Sequence, residues 1–313
     1  MRRLVTSMAC LLLLTGFAGT RMALAAGPGQ QSAASATEKA AAQPSDFVGQ
    51  DTCTTCHEDV VKKFGTNPHS RLTLEHAGKG VTCESCHGPG KAHIEGGGDV
   101  TKIRRFTKMT TTQIDATCLG CHGGAHANFP RSEHARQGVG CISCHSVHAA
   151  ETPEHLLKAE QPKLCFTCHT DVKPAFSQPF HHRVEEGLIA CSDCHDPHGT
   201  FNRKNLRSTA DQNAICMKCH SETAGPFAYE HPVVKAEGCV SCHSPHGSPN
   251  ARLLNVGNVN TLCLQCHSET NTAAFPHAVS PTGPVHNQAA QYVACTTCHT
   301  QIHGSNASDV FFK

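Results

Sequence analysis

Residues 165–198 read CFTCHTDVKPAFSQPFHHRVEEGLIACSDCHDPH, and this stretch decides the fold. It opens and nearly closes on the same pentad, C-x-x-C-H. That pattern is the attachment site of c-type haem, in which both thiols add to haem vinyl groups and the histidine ligates iron. Working outward, the pentad occurs ten times. The pairs are Cys53 and Cys56 with His57, Cys83 and Cys86 with His87, Cys118 and Cys121 with His122, Cys141 and Cys144 with His145, and Cys165 and Cys168 with His169. Then follow Cys191 and Cys194 with His195, Cys216 and Cys219 with His220, Cys239 and Cys242 with His243, Cys263 and Cys266 with His267, and Cys295 and Cys298 with His299. Together they use all the cysteines but Cys10. Zinc ribbons take two C-x-x-C pairs per metal and need no histidine after each. Disulfide frameworks need no fixed two-residue spacing, and thioredoxin-type enzymes use a single C-x-x-C. The pattern therefore predicts ten haem c groups.

The flanks of the pentads alternate, giving a repeat of about 48 residues and two haems. Even pentads have an early second histidine: His93, His148, His198, His246 and His303. Odd pentads have a phenylalanine (Phe64, Phe129, Phe176, Phe227, Phe275) and then a later histidine: His69, His134, His182, His231 and His277. The shared pattern H-x-V selects His182, with His181 beside it as the alternative. These ten are the candidate distal ligands, one for each iron. His76, His126, His155, His181 and His286 are left over. Only Met109 and Met217 lie beyond the signal-like segment, and Met217 is inside a pentad, so methionine ligation has almost no candidates. Asp59, Asp171, Glu222 and Glu269, two residues past odd-pentad histidines, suit the first turn of short helices. Pro89, Pro197 and Pro245 favour turns after even pentads. The phenylalanines are expected to pack on porphyrin faces.

Geometry constrains the partners. Trans-axial imidazoles hold their Cα atoms roughly 12 Å apart, given metal–nitrogen bonds near 2 Å. Three residues span at most about 10–11 Å. His148, His198 and His246 are therefore expected to serve irons other than those of the pentads beside them.

At the N-terminus, Arg2 and Arg3 precede the apolar run Ala9 to Ala18, and Ala23-Leu24-Ala25 offers a small-residue cleavage site. Residues 1–25 read as a secretory signal peptide, too short to span a membrane. Residues 26–46 read as a flexible leader and 47–313 as the haem domain, divisible into pentahaem halves at about 47–185 and 186–313. Cleavage leaves 23 basic against 25 acidic side chains. Twenty propionates add roughly −20 if ionised, so the loaded protein is acidic. Nothing points to nucleic acid. The basic run Lys102, Arg104, Arg105 and Lys108 is available to propionates, to a partner or to solvent. With no Trp and only two Tyr, the chain has few large side chains for a core, which the porphyrins are expected to supply. The expected fold is a multihaem cytochrome c: loops and short α-helices around ten stacked haems, elongated, with little or no β-sheet.

The segments NPHSR (67–71), CESCHGPGKAH (83–93), LCFTCH (164–169), CSDCHDPHG (191–199), GPFAYEHPV (225–233) and CHTQIHGSN (298–306) carry a resemblance. Through them, residues 47 to about 306 resemble the MtrA/DmsE family of periplasmic decahaem cytochromes. The resemblance implies bis-histidine ligation and electron transport between periplasmic or inner-membrane cytochrome donors and an outer-membrane β-barrel porin conduit. It leaves the direction of flow open, with an extracellular multihaem cytochrome or terminal acceptor on the far side. The chain has no spanning helix of its own and no alternating barrel strands, so it cannot face lipid directly. A large barrel with a polar lumen would shield it. A free periplasmic shuttle or store is the alternative. A multihaem oxidoreductase is weaker, since it needs an iron with an open position.

Overall fold

The computed structural model describes residues 43–75, 80–153, 155–208, 211–267 and 294–312. The signal-like segment, most of the leader, Glu269, Phe275 and His277 lie outside them. Among the described residues the longest helices are α1 (Gln50–Phe64), α2 (Pro68–Glu75) and α5 (Thr111–His122). Between these lie α3 (Cys83–His87) and α4 (Lys91–Glu95), and every helix after α5 has six residues or fewer. One two-stranded antiparallel sheet joins β1 (Tyr229–Glu230) to β2 (Gly304–Ser305), with Tyr229 opposite Ser305. The described chain is thus mostly loops and single helical turns, as expected from the sequence. No described helix is long and apolar enough to cross a membrane.

The pentad itself explains the short helices. Residues i, i+3 and i+4 share one helical face, so one turn presents both sulfurs and the imidazole together. In seven pentads the histidine N–H donates to the carbonyl of the first cysteine at 2.9–3.0 Å, closing that turn. Longer helices form where local signals extend the turn. α5 starts at a capping box, with Thr110 Oγ1 accepting from Gln113 N–H and Gln113 Oε1 accepting from Thr110 N–H. α1 carries Asp51 in its first turn and Lys62 and Lys63 in its last, matching the helix dipole, and kinks at His57 (φ −117°, ψ 38°). Asp59 lies within α1 and Glu222 in a 3₁₀ turn at Ser221–Thr223, whereas Asp171 precedes the short helix Lys173–Phe176. The described chain begins in a 3₁₀ turn at Pro44–Asp46, slightly ahead of the expected boundary at 47.

After most even pentads the chain returns through a left-handed turn. Leu156, Lys204, Asn205, Arg252, Leu253 and Phe311 all have φ between 53° and 62°. None is glycine, so each turn holds backbone strain. Leu157, Leu206 and Leu254 then bridge back to His145, His195 and His243.

Consecutive two-pentad units interlock through the segments after the pentads. Gly199 (φ +98°) follows His198, and a Cβ there would sit 2.8 Å from Ser132 Cβ, just before His134. At Gly247, after His246, a Cβ would collide with the Ala175 carbonyl, and Phe180 bridges Ser248. The β1–β2 sheet makes the equivalent join near His231 and His303.

The apolar core is thin. Its buried members are Phe64, Ile114, Phe129, Leu156, Phe176, Val184 and Ile215, and no described side chain falls below 2% exposure. Three of the five repeat phenylalanines are among them. Phe129 and Phe176 lie 6.4 and 5.3 Å, ring to ring, from His198 and His246.

Gly199→Ala is expected to destabilise the haem-loaded protein by roughly 1–3 kcal/mol, because both the positive φ and the Ser132 contact oppose a Cβ. Leu188→Ala, at an exposed site, is expected to leave thermal unfolding almost unchanged, and parallel melts of the two variants check the contrast.

Candidate functional site

The ten pentads neighbour one another in chain order. Within each unit the first cysteines touch: Cys53 with Cys83, Cys118 with Cys141, Cys165 with Cys191, Cys216 with Cys239, and Cys263 with Cys295. Between units the second cysteine of the even pentad faces the next odd one: Cys86 by Cys118 and Cys121, Cys144 by Cys168, Cys194 by Cys216 and Cys219, Cys242 by Cys266. Hydrogen bonds from the partner thiols hold Cys118, Cys191 and Cys239 down to about 7, while burial pushes Cys53 and Cys263 up to about 11. These values describe the free chain, since a thioether sulfur does not titrate. All twenty pentad cysteines are free of disulfides.

Polar side chains, buried in four units and half-buried in the third, fasten each unit. Asp115, Asn213 and Asn260, each three residues before an odd pentad, accept the N–H of Cys141, Cys239 and Cys295 at 2.8–2.9 Å. Gln161, four residues before Cys165, does the same for Ser192. In the first unit Glu84 accepts from Val48, Gly49 and Gly90 N–H. These residues were missed in the sequence, although the shared offset of Asp115, Asn213 and Asn260 from their odd pentads is a readable signal.

The imidazoles meet in pairs. Nine pentad histidines face nine of the repeat-selected histidines at ring-centroid distances of 5.9–6.4 Å. The even chain of contacts is His57–His93, His87–His148, His145–His198, His195–His246 and His243–His303. The odd chain is His122–His69, His169–His134, His220–His182 and His267–His231. Two metal–nitrogen bonds of about 2 Å plus two ring radii of about 1.1 Å give roughly 6.2 Å, so the donor pairs fit a six-coordinate haem iron. Even-pentad tails reach back to an earlier pentad and odd-pentad tails reach forward. His148, His198 and His246 each face the histidine of a pentad other than the one beside them. The tenth pentad histidine is His299, and His277, the remaining candidate, lies outside the described residues.

Of the five unassigned histidines, His126 also lies 6.1 Å from His122. Its N–H donates to the His122 carbonyl in a helical turn, which brings the two Cα atoms to about 6 Å, too close for trans ligands. Its ring stands 4.0 Å from His198 instead. His181 bonds the Glu186 carboxylate and the Gln178 carbonyl, leaving His182 as the one that faces a pentad histidine.

Backbone carbonyls orient these rings. All five even-pentad histidines donate Nδ1–H to one: His87 to Arg104, His145 to His155, His195 to Lys204, His243 to Arg252 and His299 to Val310, at 2.6–2.9 Å. Four of these acceptors lie in or beside the left-handed turns. His93 donates to Asp99, His134 to Pro197 and His182 to Pro245, and His231 bonds the backbone of Ile302. Such a bond fixes the tautomer and leaves Nε2 free for metal. Burial pushes His198 down to about 4 and lowers His69, His148, His231, His246 and His303, which keeps them in the neutral, metal-binding form. Arg104 is also engaged, donating from Nη1 to the Cys86 carbonyl, so it is not a free member of the basic run.

The comparisons agree with this chemistry. A family model described as doubled CXXCH motif matches residues 134–174, 181–225 and 231–272. One described as cytochrome c554 and c-prime matches 16–88 and 94–146. Among curated proteins, the chain is 32% identical over 268 residues to the multiheme cytochrome MtrA of Shewanella baltica (strain OS185), covering 82% of this chain and 79% of that one. It is 28% identical over 213 residues to the C-type polyheme cytochrome OmcC of Geobacter sulfurreducens, covering 56% of this chain and 26% of OmcC.

The cross-unit pairing makes a counting prediction. His198→Ala is expected to create one high-spin haem in the intact protein. In a Cys141→Ala, Cys144→Ala background, which lacks the haem beside His145, it is expected to create none. Low-temperature electron paramagnetic resonance makes the count, and a new high-spin signal in that background would assign His198 elsewhere.

Proposed function

The chain belongs to the MtrA-like multihaem c-type cytochromes, electron-transfer proteins that carry haem c, and from that premise we propose that it is the decahaem wire of an outer-membrane porin–cytochrome conduit. It is exported to the periplasm by the segment 1–25, loses that segment, and holds ten haems in residues 47–313, five on either side of about residue 185. Its partners are a β-barrel porin, periplasmic or inner-membrane cytochrome donors, and an extracellular multihaem cytochrome or terminal acceptor. It is an electron carrier and not an enzyme.

The observation that carries this reading is the set of nine histidine pairs at 5.9–6.4 Å on pentads that follow one another in space. When bound, each haem supplies a one-electron couple, and bis-histidine ligation keeps it lower in potential than methionine ligation does. The residues do the rest. The thiols would hold each haem covalently, the facing imidazoles of the nine described pairs would supply its iron with nitrogen donors, and backbone carbonyls hold at least one ring of eight of those pairs in one tautomer. At the nine described pairs two imidazoles would occupy the iron and leave no open site for a substrate, which argues against the oxidoreductase alternative there. Among the described residues no helix is apolar and long enough to span a membrane, so shielding from lipid falls to a partner.

Two measurements test the proposal. Intact mass is expected to show ten haem additions on a chain beginning near Ala26. In liposomes, protein plus its porin is expected to reduce or oxidise an enclosed dye from outside, and either component alone is not. A pair that forms no complex and passes no electrons would favour the soluble shuttle.

A further inference from the structure

We propose that Asn67 is a positioning residue that diverts a hydrogen bond from His69, making the haem on Cys118 and Cys121 the most oxidising of the nine described haem sites. The inference rests on the haem-ligand reading of the histidine pairs.

The repeat supplies the comparison. In three successive units the odd-pentad tail histidine bonds the backbone of the residue just before an even-pentad tail histidine. His134 takes Pro197, before His198; His182 takes Pro245, before His246; His231 takes Ile302, before His303. By the same offset His69 would take Val147, before His148. It does not. Asn67 Nδ2 donates to the Val147 carbonyl at 2.7 Å. Among the described residues His69 Nδ1 is buried with no hydrogen-bond partner.

The local sequence explains the interception. Two residues before the other tail histidines stand Ser132, Phe180 and Tyr229. None is an amide that can both cap its own turn and reach across. Asn67 Oδ1 accepts from His69 and Ser70 N–H, which aims Nδ2 at Val147, and the whole side chain is buried. Ser132 does the capping alone, its Oγ accepting from Ala135 N–H.

Two consequences follow at the imidazole pair. First, His122 and His69 are the one described pair in which neither ring bonds a carbonyl or carboxylate. An Nδ1–H bond raises the basicity of a ligating imidazole and stabilises the oxidised iron, so its loss raises the potential. The His145–His198 pair is the opposite case, with the His155 carbonyl on one ring and the Asp196 carboxylate 3.3 Å from the other. Second, ring orientation departs. The His69 and His122 planes meet at 84°, against 10–61° for the other eight pairs. His69 lacks the carbonyl bond that its counterparts His134, His182 and His231 make. Near-perpendicular axial imidazoles give the strongly anisotropic class of low-spin ferric signal, which is a spectroscopic label for this site.

Asn67→Ser tests it by installing the arrangement found at Ser132. Wild-type protein with ten haems by mass is expected to show the haem on Cys118 and Cys121 titrating above the other eight described sites and a strongly anisotropic low-spin component. Asn67→Ser is expected to shift that one haem downward and remove that component, with the haem count and the other haems unchanged. Asn67→Asp, which keeps the acceptor and loses the donor, is expected to move the same haem the same way. A wild type lacking the anisotropic component overturns the proposal whatever the variants do. So do folded variants in which neither potential nor signal moves, because a purely structural Asn67 would alter neither. Failure of the haem-ligand reading is seen separately, as high-spin haem in the wild type.

Discussion

Two imidazoles bound to opposite faces of one iron need their rings about 6 Å apart and their Cα atoms about 12 Å apart. A histidine three residues past a pentad cannot satisfy that for its own iron. The described histidine pairs are spaced to meet that demand by exchange: even-pentad tails reach back and odd-pentad tails reach forward, as in His198 with His145 and His182 with His220. Apart from His93 with His57, which lie in one unit, each described exchange ties one two-pentad unit to another. This cross-linking stands where an ordinary apolar core would be, and it suits a chain with only seven buried hydrophobic residues among those described.

The same constraint explains where strain is held. An even-pentad histidine is fixed from two sides, by the helical turn of its own pentad and by a carbonyl from a returning loop. To aim that carbonyl, Lys204 and Arg252 adopt left-handed conformations that cost an ordinary side chain roughly 1–2 kcal/mol. Odd pentads achieve order differently. Asp115, Asn213 and Asn260 sit buried at their leading edge and cap the even partner, while the tail histidines His134, His182 and His231 take a carbonyl from a later unit. The alternation seen in the flanks is therefore two solutions to orienting an imidazole.

Much of the molecule is legible in the sequence because the chemistry fixes residue types. A thioether needs Cys, an axial ligand needs His, and the i, i+3, i+4 spacing places them on one turn. The alternating flanks pick out the tail histidines, and H-x-V separates His182 from His181. What cannot be read is which pentad each tail faces. Reach excludes the neighbour, but the choice among the others depends on how units stack. Backbone acceptors are equally hidden, since the carbonyls of Pro197, Pro245 and Val147 carry no residue-type signature. The contrast between Ser132 and Asn67 becomes meaningful only once Val147 is seen beside it. The role of Asp115, Asn213 and Asn260 was open to a sequence reading that aligned residues upstream of each odd pentad.

The central claim is that each iron lies between a pentad histidine and the tail of a different pentad. A density map of the haem-loaded protein, at a resolution that separates imidazole rings from porphyrin, tests it most directly. The account predicts iron between His145 and His198, between His195 and His246, and between His220 and His182. An iron held by His145 together with His148, or by any pentad histidine with water opposite, would contradict it.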